Sequence, residues 1–353
     1  MVQRIAILVL FFSTFQYFDL YSQDISASQF NAVALYYNPA STGSFPGNYR
    51  ISSLYRNQWI GFQDEPITQF IISGDIKFYL GYESPTKDFI GAGVYFGTDR
   101  TQLFDWNTNE MGIQLAYHKI IDKNKLSFIT GGLGFGLQQR SVNYDRLFFE
   151  DQYNGLDAYN GATNEILPQN IHATPNLVFG LEYSSYVNKR LFLQMGLSAK
   201  HLFSNEFSFY NNLDNPDYVG SRENPAFSSI IWMSHLVYRY DAFNEISPRM
   251  LLQWQGPHGM LLPGFSYRRA MLKNNQTAVH MGVSSRIVKN YDAFSISDLG
   301  LQLGLELQTF MVGLQYEFGL RDATKYGAPT HSFEISLRLM GAYENQFQFA
   351  PRF

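Results

Sequence analysis

Seven histidines, His118, His172, His201, His235, His258, His280 and His331, are the side chains of this sequence best suited to hold a metal or move a proton near neutral pH. Their spacing points to neither. No two stand at the H-x-x-x-H or H-E-x-x-H interval that sets two imidazoles on one helix face. Cysteine is absent from all 353 residues, which excludes thiolate zinc sites, disulfides, a cysteine nucleophile and the attachment point of a lipoprotein. There is no G-x-S-x-G turn to expose a serine. The glycines from Gly132 to Gly136 are followed by no lysine and open no helix, so they read as strand rather than phosphate loop. The catalytic arrangement left is a His, an acid and a Ser converging from distant strands. The expectation is a non-enzymatic protein with no catalytic residue, cofactor or metal.

The charged side chains carry a different message. Asp75, Glu306, Glu317, Glu334 and Arg338 each sit inside an otherwise alternating apolar stretch, where an ionised group must face a polar interior and find a partner. Charge is scarce: Asp, Glu, Lys and Arg make up 16% of the chain, against roughly a quarter in a soluble domain. Aromatic residues reach 17%, with 24 Tyr and 31 Phe. Mean hydropathy is nevertheless slightly negative. A membrane barrel reconciles the two, because every second strand residue faces a polar lumen and offsets its lipid-facing neighbour. The net charge of −4 offers nothing to nucleic acid.

The elements that must position these residues are strands. Leu299, Leu301, Leu303, Leu305 and Leu307 point one way while Gly300, Gln302, Gly304, Glu306 and Gln308 point the other. Val312, Leu314, Tyr316 and Phe318 alternate in the same way with Gly313, Gln315, Glu317 and Gly319, and Phe333 to Leu339 repeats the pattern. The same reading gives strands near 49–58, 67–78, 88–98, 109–120, 125–139, 173–186, 190–203, 227–240, 245–255, 259–269, 276–288, 296–308, 310–320 and 330–340. About fourteen strands of this length fit a transmembrane antiparallel β-barrel with both termini in the periplasm. An aqueous sandwich also alternates, but it gains nothing from glycine on its polar face. Here Gly132, Gly134, Gly136, Gly300, Gly304, Gly313 and Gly319 lie there, which suits a lumen crowded by a plug or by inward side chains.

Connection lengths test the assignment. The two longest, about 140–172 and 204–226, both follow odd-numbered strands, as outward loops should, while Asp122-Lys123-Asn124 and Val187-Asn188-Lys189 are short and fall on the even side. The stretch 79–87 is long for an even-side turn. Residues 1–22 read as a cleaved signal peptide: Arg4 precedes the apolar run Ile5 to Phe12, and the cut falls after Ser22. Taken as an anchor, that run is short and stands alone. The division is then a signal at 1–22, a periplasmic arm at 23–48, a barrel at 49–340 and a tail at 341–353.

The segment Leu35-Tyr36-Tyr37-Asn38-Pro39-Ala40-Ser41-Thr42-Gly43, followed by Tyr55-Arg56-Asn57-Gln58-Trp59, resembles the opening of the PorP/SprF family of type IX secretion and gliding proteins of Bacteroidetes. The resemblance continues through Ser73-Gly74-Asp75, Gly91 to Asp99, Ala116-Tyr117-His118, Pro248-Arg249-Met250, Gly264 to Arg268 and His331 to Ile335. It departs at Phe333, where the family leads one to expect a tighter His–Glu pairing. It implies an outer-membrane component that binds a large secreted or surface adhesin, a periplasmic peptidoglycan-associated lipoprotein, or both, amid outer-membrane lipids. Asn38, Pro39, Ala40, Gly43, Arg56, Gln58 and Trp59 are the motif positions to which partner binding or plugging would attach.

Residue by residue, Asn38-Pro39-Ala40 and Gly43 predict a turn that guides the arm into the barrel, with a plug or docking arm as the alternative. Trp59 is expected in the interfacial aromatic belt at the outer end of the first strand, and Arg56 is expected to pair with Asp75 inside the lumen. The rival to a docking protein is a diffusion channel for small solutes.

Overall fold

The computed structural model describes residues 24–341 except 62–64, 81–86, 103–104, 157, 160, 166, 204–208, 210–226, 272–276, 290–292 and 321–329. The expected signal peptide, the tail beyond Gly341 and all of the 204–226 loop but Phe209 lie outside the described residues. Among the described residues no helix is long and apolar enough to cross a membrane. The chain would cross with strands instead.

Fourteen antiparallel strands form a closed barrel. They are β1 (Tyr49–Ile60), β2 (Ile67–Tyr79), β3 (Phe89–Thr101), β4 (Trp106–Asp122), β5 (Ser127–Ser141), β6 (Ile171–Asn188) and β7 (Leu191–Lys200), then β8 (Ser229–Arg239), β9 (Asn244–Gln255), β10 (His258–Ala270), β11 (Thr277–Lys289), β12 (Phe294–Leu307), β13 (Phe310–Gly319) and β14 (His331–Met340). Each pairs with its sequence neighbours, and β1 closes on β14 with Arg56 opposite Glu334. Closure leaves no unpaired edge, the condition for a sheet to sit in hydrocarbon. The alternation read from sequence is the alternation of the wall. Leu299, Leu301, Leu303, Leu305 and Leu307 are exposed outward, while Asp298, Gln302 and Glu306 between them are buried in the lumen.

The connections after β5 and β7 open at one end of the barrel, here termed the loop end. The turns Lys189-Arg190 and Gln308-Thr309 close the other, the turn end. The unexpectedly long even-side connection, between β2 and β3, ends at Asp88, which is anchored to β4. Its carboxylate accepts hydrogen bonds from the Tyr117 hydroxyl, Lys119 Nζ and the Ile120 amide of β4, all within 2.7–3.0 Å.

Residues 24–48 change the picture drawn from sequence. Expected as a periplasmic arm, with a plug of the lumen as the alternative, this segment lies inside the barrel. It carries a 3-10 turn (Phe30–Val33), one α-helical turn, α1 (Ala34–Tyr37), and a second 3-10 turn (Pro39–Ser41). Asp24 sits at the loop end beside His201 and Gln255, whereas Phe45 and Asn48 reach Lys77 at the turn end. The arm thus runs down the lumen and turns outward into β1. β1 begins where β14 ends, with Gly341 N–H donating to the Tyr49 carbonyl at 2.8 Å. Its apolar side chains Ile25, Phe30 and Val33 join Ile231, Met233, Leu251, Met260 and Leu262, which β8–β10 turn inward, in one buried cluster.

Leu301 stands near the middle of β12 on the outer face. Leu301→Arg is expected to cost about 2–4 kcal/mol of barrel stability, the cost of a midplane arginine facing lipid. Reversible guanidinium unfolding from phospholipid vesicles measures it, and unchanged stability would place that face away from hydrocarbon.

Candidate functional site

The motif Asn38–Gly43 is the part of the arm held most closely by the wall. Asn38 caps the second 3-10 turn, its Oδ1 accepting the Ala40 amide at 2.9 Å, while its Nδ2 donates to the Leu181 carbonyl of β6 at 3.2 Å. Pro39 follows at the first helical position, where its missing N–H costs nothing. The wall opposite is glycine for steric reasons. A Cβ at Gly132 or Gly180 would overlap the Pro39–Ala40 backbone or the Asn38 amide, and one at Gly91 would overlap Thr42. Gly43 adopts φ +81°, a conformation glycine takes without strain, and its N–H donates to Asp75 at 2.8 Å. Of the seven polar-face glycines singled out from sequence, Gly132 receives the arm. Gly134, Gly300 and Gly319 face neighbouring strand side chains or Thr330 instead.

The lumen charges pair differently from expectation. Asp75 binds Arg50, which stands directly across from it in the β1–β2 register, by two hydrogen bonds of 2.8–2.9 Å. Arg56 lies six residues further along β1 and faces β13 and β14. It reaches Glu317 at 2.8 Å and Glu334 at 3.2 Å. The expected Arg56–Asp75 pair is therefore replaced by two pairs, because register puts Gln69 and not Asp75 opposite Arg56. Both glutamates also hold the arm. Glu334 accepts the backbone amides of Ser28 and Gln29 at 2.8 and 2.9 Å, Glu317 accepts the Ser28 hydroxyl, and Arg56 donates to the Ser26 carbonyl. Arg338 donates to the Asn31 carbonyl. Glu306 lies apart from the arm, bound by Arg268 at 2.8 Å and His280 at 3.1 Å.

A cleft of about 250 Å³ opens at the loop end, bounded by Asp24, Gln58, Trp59, Asp99, Trp106 and Arg140 among others. Trp59 belongs to this cleft and not to an aromatic belt. The β1–β14 register shifts between Gln58 and Ile60, and Trp59 takes φ +67° in that bulge, which re-aims its side chain. Asp24 meets His201 Nε2 at 2.9 Å. Burial pushes the Asp24 carboxyl up, but the charges of His201, Lys200 and Arg140 and the His201 hydrogen bond outweigh it and hold the group below the usual carboxylate range. Deeper in, Glu110 accepts the hydroxyls of Tyr36 and Tyr95, each at 2.8 Å, and pairs with Lys200 at 3.3 Å. Three histidines serve as links: His118 joins Thr42 of the arm to Thr130 of β5, His201 meets Asp24, and His280 meets Glu306. Among the described residues no group of three His, Cys, Asp or Glu is placed to hold a metal.

The model of the family described as type IX secretion system membrane protein PorP/SprF matches residues 19–339. The chain belongs to this family. No curated protein matches it. Similar solved structures include the Ralstonia pickettii toluene transporter TbuX, with 9% identity over 88% of this chain and 94% of that one, at a TM-score of 0.47. A TodX monoaromatic hydrocarbon channel mutant shows 8% identity over 87% and 92%, at a TM-score of 0.44. CdiB from Acinetobacter baumannii shows 11% over 83% and 60%, at 0.40.

As a PorP/SprF barrel the protein is an outer-membrane component of type IX secretion. A closed antiparallel barrel with an apolar outer face is the one strand architecture that satisfies its backbone within a bilayer. Sequence reading missed Arg50, Glu110, Lys200 and Arg286 as lumen charges, although all four occupy inward positions of alternating strands. Arg56→Met leaves Glu317 and Glu334 buried beside one fewer cation and should destabilise the barrel by about 3–5 kcal/mol. Adding Glu317→Gln and Glu334→Gln should recover part of that loss. The shift in the temperature at which the heat-modifiable gel band converts to its unfolded mobility reads both effects.

Proposed function

We propose that this PorP/SprF protein is a non-enzymatic, plugged docking component of the type IX machinery. Its loop end would bind a secreted or surface-anchored adhesin, and its turn end a periplasmic peptidoglycan-associated lipoprotein or other secretion components. The observation that carries the reading is the arm itself. A fourteen-stranded barrel encloses room for a solute path, yet here residues 24–48 fill the lumen along its length and are tied to β1, β6, β13 and β14 by buried hydrogen bonds. An interior joined in this way supports docking over free diffusion. The connection 142–170 supports the outward half of the reading, since it presents Tyr153, Tyr159, Phe148 and Leu156 exposed at the loop end. Large aromatic side chains give contact area at low entropic cost.

The test compares the full protein with a deletion of residues 24–43 and with Gly132→Phe, whose side chain claims the space of Pro39 and Ala40. In planar bilayers the full protein should stay closed and both variants should conduct. From native membranes the full protein should co-purify with a large surface protein or a peptidoglycan-associated lipoprotein. Steady conductance by the full protein, with nothing co-purifying, would replace docking with a solute channel.

A further inference from the structure

The cleft at the loop end contains acceptors that the barrel does not use. Gln69, Asp99, Thr108 and Arg140 stand side by side in one row across β2–β5, and Glu110 and Gln138 are paired in the row beneath. Asp99 accepts one hydrogen bond, from Gln69 Nε2 at 2.8 Å, and forms no ion pair among the described residues. Donating that amide N–H leaves the Gln69 carbonyl, Oε1, buried without a partner, and Gln138 Oε1 is in the same state. Both glutamines are only 5% exposed. A buried carbonyl lacking a donor is costly, so two of them beside a carboxylate point to donors supplied from outside. The cations already nearby are committed elsewhere. Arg56, whose charge reaches Asp99, is paired with Glu317 and Glu334, Lys200 is bound to Glu110, and Arg140 lies beyond Thr108, its charge falling on Asp24.

The rim is aromatic. Trp59 and Trp106 both line the cleft, and Phe209 packs edge-on against Trp106 with ring centroids 5.3 Å apart. Indole faces attract organic cations. Among the described residues no three His, Cys, Asp or Glu side chains converge here as a metal site would need.

We infer that this cleft is a binding site for an ammonium or guanidinium group, held by the Asp99 carboxylate and the Gln69 and Gln138 carbonyls between the indoles of Trp59 and Trp106. The cation enters from the loop end, where a basic side chain of an exported chain or a free polyamine has access. The inference stands on the cleft alone and does not depend on the docking reading.

The full protein in detergent, labelled with 15N at its four tryptophans, provides the test. N-acetyl-arginine amide should shift the indole resonances of Trp59 and Trp106, assigned with Trp59→Phe and Trp106→Phe, and leave those of Trp232 and Trp254 in place. N-acetyl-citrulline amide, of the same shape but neutral, should bind at least tenfold more weakly. Asp99→Asn should weaken arginine amide to the same degree, and Gln138→Leu should weaken it without any change of charge. Equal affinity of agmatine and arginine amide would assign the site to free cations, and a preference for the amide would assign it to a cation carried on a peptide. Citrulline amide binding as well as arginine amide, calcium reproducing the shifts, or all four indoles moving together would overturn the inference. The citrulline comparison needs no variant and holds even where a substitution impairs assembly.

Discussion

Arg56 is the residue on which the interior depends. Its side chain is almost wholly buried between Glu317 and Glu334, and an ionised group in such a place persists only where opposite charge and hydrogen bonds offset its loss of water. Three buried charges leave a net negative charge, and the structure answers it with a second guanidinium. Arg286 approaches Glu317 at 3.7 Å and donates to Ser26 and Ser28 of the arm. The remaining carboxylate lone pairs are taken by the amides of Ser28 and Gln29. Without the arm, this cluster would present bare carboxylates to the lumen. Residues 24–48 thus answer part of the charge pattern of the wall, in place of the water an open lumen would supply.

A filling must also be shaped, and the wall is shaped on two sides. On β3, β5 and β6, glycines remove the side chains that would collide with the Asn38–Gly43 turn. On β8–β10 the wall does the opposite and projects Ile231, Met233, Leu251, Met260 and Leu262 into the lumen to meet Phe30 and Val33. Each of these large side chains gains roughly 1.5–3 kcal/mol on leaving water. One face of the arm is held by shape and hydrogen bonds, the other by apolar burial. That division accounts for a lumen wall that is neither uniformly polar nor uniformly small.

The barrel was legible in the sequence because its signal is local. Alternation in Leu299–Gln308 records two solvents on two faces, and loop parity separates the end with long connections from the end with short turns. The arm was not legible in the same way. Asn38, Pro39 and Gly43 announce a turn, but nothing within the arm states that Gly132 and Gly180, some ninety and a hundred and forty residues away, are its counterparts. The inward apolar residues of β8 blur the period further, since Ile230, Ile231, Trp232 and Met233 read as continuous. Arg56 was rightly suspected of a lumen pair, yet its partners were beyond reach. They follow from how β1 meets β14 at closure, and no local pattern encodes that register. Trp59 misled for a related reason: a single bulge residue reversed the direction of its side chain.

Closure and filling draw on the same residues. Arg56 belongs to β1, Glu334 to β14 and Glu317 to β13, so their cluster spans the seam where the first strand meets the last. The same atoms bind Ser26, Ser28 and Gln29. A barrel that closed first would have to admit an arm with a helical turn through a lumen already lined with side chains. An arm that folded first would have no carboxylates to receive its amides. Each contact at the seam is satisfied only when strand, partner strand and arm are present together. One set of buried charges therefore links the register of the last strand to the occupancy of the lumen.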